Sequence, residues 1–260
     1  GTLAGPAIGG VAADQLGLWT PFVMHAVVAM AALIPSFYLL KESAPARGAS
    51  STSSGAGHWS RLRFAPIPAV FAVQFLANIP RGGVFGGGVI VLYAAFAYDV
   101  PPTELGFLRS SMAAVGIPIT FAAGYIMDRF GRKYTIVPGL LLTATSMLFL
   151  AATAYLDLSY MWFVAAFVYV HMAVNVISGN MQTLATDVAP EDARGMFFGV
   201  SRTIAQGGSF LSPTSWGVLL ALGGAPVAFV FLGTSAFFAA GIMFFLVPET
   251  LRKRVHASDE

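Results

Sequence analysis

The side chains best placed to do chemistry are amides, arginines and one histidine set inside apolar runs. Gln74, Asn78 and Arg81 stand at i, i+4 and i+7 in one run. His171, Asn175, Ser178 and Gln182 follow the same spacing in a second, and Arg202, Gln206 and Ser209 in a third. At 3.6 residues per turn each set occupies one helix face. Such groups can hold a polar or charged solute through hydrogen bonds. A charge inside a bilayer costs at least about 2.5–3.5 kcal/mol, so Arg81, near the middle of its run, most needs a functional reason. Arg202 lies about two turns from a loop and can instead extend its head to water. Amides and hydroxyls can also simply join helices, at about 0.6 kcal/mol per pair. Both readings stand at this stage.

Bond-breaking chemistry finds little support. There are no cysteines, and no paired carboxylates, metal-ligand set or Ser/His/Asp arrangement falls at a common depth. The sequence predicts no enzyme, no cofactor and no metal site. No Asp or Glu falls in the middle of an apolar run. His171 is therefore the one mid-run group whose charge could change near neutral pH and so handle protons; a neutral, hydrogen-bonding His171 is the plainer reading. Arg81 also sits in the sequence Asn-Ile-Pro-Arg-Gly-Gly-Val-Phe-Gly-Gly-Gly (78–88). Pro80 removes a backbone donor and the glycines weaken a helix, so a break is expected here, either to coordinate a solute or to let helices approach closely.

The elements that carry these residues are membrane spans. Of 260 residues, 57% are hydrophobic and 10% charged, against about a quarter charged in soluble domains. Mean hydropathy is +0.74. A net charge of +2 gives no reason to expect nucleic acid. Eight apolar segments are predicted, at 2–13, 19–40, 65–97, 104–127, 134–155, 158–186, 196–222 and 225–247. All but the first are long enough to cross about 30 Å of hydrocarbon as helices. The second, fifth and eighth have few polar groups and are expected to be lipid-facing supports; the third, sixth and seventh are expected to line a cavity.

Basic residues sort to one side if the helices alternate. Lys41, Arg47, Arg61, Arg63, Arg129, Arg132, Lys133, Arg194, Arg252, Lys253 and Arg254 fall together, and Asp14, Asp99, Glu104 and Asp157 fall opposite. The positive-inside rule then places the C-terminus and the 2–3 loop in the cytoplasm. The loop's Gly-Ala-Ser-Ser-Thr-Ser-Ser-Gly-Ala-Gly run (48–57) reads as a flexible linker. Four regions result: a truncated helical bundle (1–40), a cytoplasmic linker (41–63), a six-helix bundle (64–247) and a cytoplasmic tail (248–260).

The 4–5 loop reads Gly124-Tyr-Ile-Met-Asp128-Arg129-Phe-Gly131-Arg132-Lys133. Gly131 permits a tight turn, and the charges could latch one conformation and release in another. This run resembles the G-x-x-x-D-R-x-G-R-[RK] signature of the major facilitator superfamily. The opening residues, with Gly5, Pro6, Gly9 and Gly10, resemble the G-x-x-x-G-P-x-x-G-G helix-packing motif of its drug:proton antiporter branch. The run Asp187-Val-Ala-Pro-Glu-Asp-Ala-Arg194-Gly195 and the sequence Pro248-Glu249-Thr250 are further similarities, the last shared with sugar porters.

The resemblance implies an all-α membrane protein with two six-helix bundles around a central cavity, working by alternating access. Segment 1 would be the fifth of twelve helices and segments 3–8 the seventh to twelfth. Four helices and their coupling residues would then be missing, and the fragment would not transport alone. The implied function is secondary transport, with efflux of small organic compounds or drugs in exchange for protons as the leading expectation. An uptake carrier for an organic anion or sugar, and a non-transporting receptor or scaffold, are the alternatives. Arg81 favours an anionic solute, because a cation in the membrane repels cationic drugs. Expected solute contacts are Gln74, Asn78, Arg81, His171, Asn175 and Gln206. Expected gate residues are Gly124, Asp128, Arg129, Gly131, Arg132, Lys133 and Arg194. Expected partners are a small solute, protons, lipid and the missing N-terminal helices, in the cell membrane.

Overall fold

A computed structural model describes residues 3–39, 66–86 and 88–249. The predicted linker 41–63, with its basic residues, and the tail beyond Glu249 lie outside the described residues. The described chain is helical, with no strand. Helix α1 is Gly5–Leu16, α2 is Thr20–Leu39 and α3 is Ile67–Arg81, continued by a π-helical turn at Gly82–Gly86. Then come α4 (Val89–Ala97), α5 (Pro102–Phe130), α6 (Arg132–Tyr155) and α7 (Tyr160–Val188). After a short turn at Glu191–Ala193, a 53-residue helical stretch, Arg194–Leu246, is broken at Gly224 (φ 77°). Its halves are α8 (194–223) and α9 (225–246). At 1.5 Å per residue the unbroken stretch would run about 80 Å, far beyond one bilayer; Gly224 adopts the backbone only glycine accepts readily, and Pro226 restarts the helix. Among the described residues, six stretches are long and apolar enough to cross a membrane, the last including both α8 and α9.

The expected break near Arg81 is present. Pro80 lies inside α3, the ladder widens at Gly82–Gly86, and Gly88 takes φ 58° before α4 begins. These two short helices therefore share one predicted span.

Small residues set the helix contacts. A β-carbon at Gly10 of α1 would fall 2.5 Å from the Pro102 carbonyl, and one at Gly106 of α5 would fall 2.3 Å from the Pro6 carbonyl. Asp14 accepts from the Thr103 backbone N–H at 3.1 Å and from the Thr103 hydroxyl, so α1 supplies the cap that α5 lacks at its own N-terminus. Gly9 is 3.8 Å from Pro21 by the same measure, and Gly5 has nothing within 4 Å. Along α3 and α8, a β-carbon at Gly82 would meet the Ser209 carbonyl at 2.5 Å and one at Gly208 the Phe75 carbonyl at 2.2 Å.

Segment 5, now α6, lines neither large lobe of the cavity described below and exposes Tyr134, Leu141, Leu142 and Leu148 on one face, while its other face is packed inside. Ile136, Leu140, Met147 and Leu150 are fully buried, as are Thr143, Ser146 and Thr153, because α6 lies between α7 and α9. Gly139 abuts Ile177, and Gly233 abuts the Ala144 carbonyl. Its buried hydroxyls bond to their own helix backbone, so hydroxyl content alone gave no sign of which face was inside. Helix α2, by contrast, is exposed along nearly its whole apolar length.

Candidate functional site

Two lobes of a cavity open between the helices, of about 550 and about 500 Å³. Gln74, Asn78 and Arg81 of α3 line the larger lobe. Ser178 and Gln182 of α7 and Arg202, Gln206 and Ser209 of α8 complete its polar wall. The smaller lobe holds His171, Asn175 and Ser178 of α7 against Arg109, Met112, Ile117 and Phe121 of α5. Arg81 and Ser178 belong to both lobes. Thus five of the six predicted solute contacts split between two adjacent compartments, and Arg81 borders both.

Local bonds fix the polar stripes. Gln74, 7% exposed, accepts from the Ser201 hydroxyl at 2.7 Å, which ties α3 to α8. Asn78 and Asn175 each donate to the carbonyl one turn earlier, Gln74 and His171 respectively, both at 2.7 Å. His171 is 5% exposed; its Nδ1–H donates to the Phe167 carbonyl at 3.0 Å and its ring centroid lies 4.2 Å from that of Phe167, the planes tilted by 50°. Gly116 leaves room for Asn175, whose amide nitrogen would be 2.9 Å from a β-carbon there.

Sequence reasoning missed Arg109 as a cavity residue. Its helix is not among the three with polar stripes. The signal available was its position about two turns inside a span, the same signal that singled out Arg202. Arg81, Arg109 and Arg202 thus all face the cavity, and among the described residues no carboxylate lines either lobe.

A second cluster sits at the α5–α6 turn. Gly131 takes φ 112°, where a β-carbon would also fall 2.7 Å from a Glu249 carboxylate oxygen. Glu249 accepts from the backbone N–H groups of Arg132 and Lys133, each at 3.0 Å, capping α6 where its dipole is positive. The Arg132 side chain is 6% exposed and pairs with Asp187 at 2.9 Å and Asp128 at 3.1 Å. Three stretches distant in sequence, the 4–5 loop, the end of α7 and the residues after α9, thus close on one arginine.

The side chains of the other predicted gate residues point away from this cluster. Arg129 bonds the Tyr125 hydroxyl at 3.1 Å and lies over Phe130. The Lys133 ammonium lies over Phe244. Arg194 makes an exposed pair with Glu191 at 3.8 Å. Gly124 has nothing within 4 Å of an added β-carbon.

A family model described as Major Facilitator Superfamily matches residues 70–260, and the chain belongs to that family. The protein is accordingly an integral, multi-pass membrane protein of a transporter family. Among solved structures it is similar to a bacterial homologue of the iron transporter ferroportin in its inward-facing state (TM-score 0.62, 18% identity) and to a bacterial metal transporter (TM-score 0.63, 18% identity). Each match covers 94% of this chain, which spans 59% and 61% of those two proteins. At such identity the likeness is one of fold. No curated protein matches the sequence.

Proposed function

We propose that the whole protein is an alternating-access secondary transporter whose cavity takes small organic anions. The observation that carries this reading is the trio Arg81, Arg109 and Arg202 facing one two-lobed cavity with no carboxylate among its described lining residues. Three like charges facing the same space repel one another and attract an anion, which relieves that repulsion. Gln74, Asn78, His171, Asn175 and Gln206 supply orienting hydrogen bonds. The charge cluster at Arg132 acts as a latch on the cytoplasmic side, where the positive-inside pattern also puts the C-terminus, and the carrier works in the cell membrane.

Proton-coupled drug efflux is the second reading. It is favoured by the Gly-Pro-rich run of α1, whose Gly10 packs against the start of α5 as the antiporter motif would require. Among the described residues no group of three His, Cys, Asp or Glu suited to a metal ion occurs.

The test is solute accumulation in cells expressing the full-length protein, across anionic, neutral and cationic compounds, with and without an uncoupler. Altered accumulation of anions alone is expected. Uncoupler-sensitive exclusion of several unrelated cations would establish drug efflux instead. No change for any compound would favour a non-transporting receptor.

A further inference from the structure

We infer that Arg109, Arg81 and Arg202 form a ladder of three anion stations at successive depths, so that each outer arginine serves one face of the membrane and Arg81 serves both. The inference rests on the organic-anion reading above and deepens it.

The depths follow from helix direction and register. Ile67, at the start of α3, packs with Ala189 and Phe197, so α3 begins at the same end of the bundle as the α7–α8 turn. Arg81 is fourteen residues further on, about 21 Å at 1.5 Å per residue. Helix α8 starts at that same end and runs in register with α3, because Gln74 is bonded to Ser201 and Gly82 touches Ser209. Arg202 therefore lies level with Gln74 and Phe75, about 10 Å nearer that end than Arg81. Helix α5 runs the other way. Its Arg109 is seven residues from Pro102, about 10 Å from the opposite end. The Arg109 guanidinium lies 3.8 Å from where a β-carbon at Gly88 would be, beyond the helix break and so on the far side of Arg81.

The cavity is divided at the same point. The larger lobe contains Arg202 and Arg81; the smaller contains Arg81 and Arg109. An anion entering from the Arg132 end meets Arg202 first. One entering from the Asp14 end meets Arg109 first. Either reaches Arg81 with a guanidinium already behind it. Spacing of about 10 Å lets an anion pass between neighbouring stations without one site trapping it, because ionic screening weakens the pull of each over about that distance. The long, flexible arginine side chains can close part of the gap.

The test is transport by the full-length protein in proteoliposomes of one orientation, with benzoate, succinate or gluconate supplied on either face. Arg202→Gln should raise KM about tenfold or more for anion supplied at the Arg132 face and leave the opposite KM within about twofold. Arg109→Gln should do the reverse. Arg81→Gln should weaken both. An unfolding midpoint in detergent close to that of the wild type shows that each variant has folded. If wild-type protein carries none of the three anions, the organic-anion reading itself is overturned. If anions are carried but Arg109→Gln and Arg202→Gln act equally on both faces, the anion reading survives and the ladder is overturned.

Discussion

Asp128 belongs to the sequence signature, yet the structure makes Asp187 the more consequential partner of Arg132. The Asp128 side chain is 73% exposed and that of Asp187 is 9% exposed, while both lie within 3.1 Å of the same guanidinium. An exposed pair contributes about 0–1 kcal/mol after solvent screening and side-chain ordering. Removing one member of a buried pair costs about 3–5 kcal/mol, since the remaining charge stays desolvated without compensation. The cluster lies at the edge of the bundle, so the lower end applies. Asp187→Asn should therefore destabilise the protein by about 3 kcal/mol, and Asp128→Asn by under about 1 kcal/mol. The difference of about 2 kcal/mol is about 30-fold in the unfolding equilibrium. Reversible unfolding of the purified full-length protein in detergent, followed by circular dichroism, reads this directly. Equal losses, or a larger loss for Asp128→Asn, would refute the argument that burial sets the strength of this cluster.

Two further substitutions test the backbone arguments. Gly131→Ala should cost about 1–3 kcal/mol, from its left-handed φ together with the clash on Glu249, whereas Gly124→Ala, in open space on a helix, should stabilise by about 0.5–1 kcal/mol; detergent unfolding of the pair gives the sign of each. Gly106→Val should prise α5 from α1, because a β-carbon there would lie 2.3 Å from the Pro6 carbonyl. A cysteine pair across the α1–α5 contact should then lose its cross-linking efficiency, and undiminished cross-linking would argue against close packing at that point.

Much of the fold was legible because lipid imposes simple rules. Apolar runs of about 20 residues must be helices, and the observed bounds of α2, α5, α6 and α7 fall within about three residues of those read from the pattern. The Pro80–Gly88 break was legible because a missing donor and missing β-carbons are local properties. The polar stripes were legible because 3.6-residue spacing puts them on one face. Arg109 was not, since it stands alone without a polar neighbour at helical spacing. Which face of α6 packs inward was not, since its hydroxyls are satisfied by their own backbone whichever way the helix faces.

The sequence by itself determined the membrane class, the number and limits of the spans, the site of the broken helix and the membership of the Asp128–Lys133 turn in a family pattern. Each follows from local composition or spacing. Only the tertiary structure decided that Arg132 reaches Asp187 and that Glu249 caps α6, contacts that join residues 55 and 117 positions apart. It alone also divided the cavity at Arg81 and brought Arg109 to it. The physical reason is that helical periodicity specifies which side chains share a face, whereas the partner that face meets depends on how helices distant in the chain pack together.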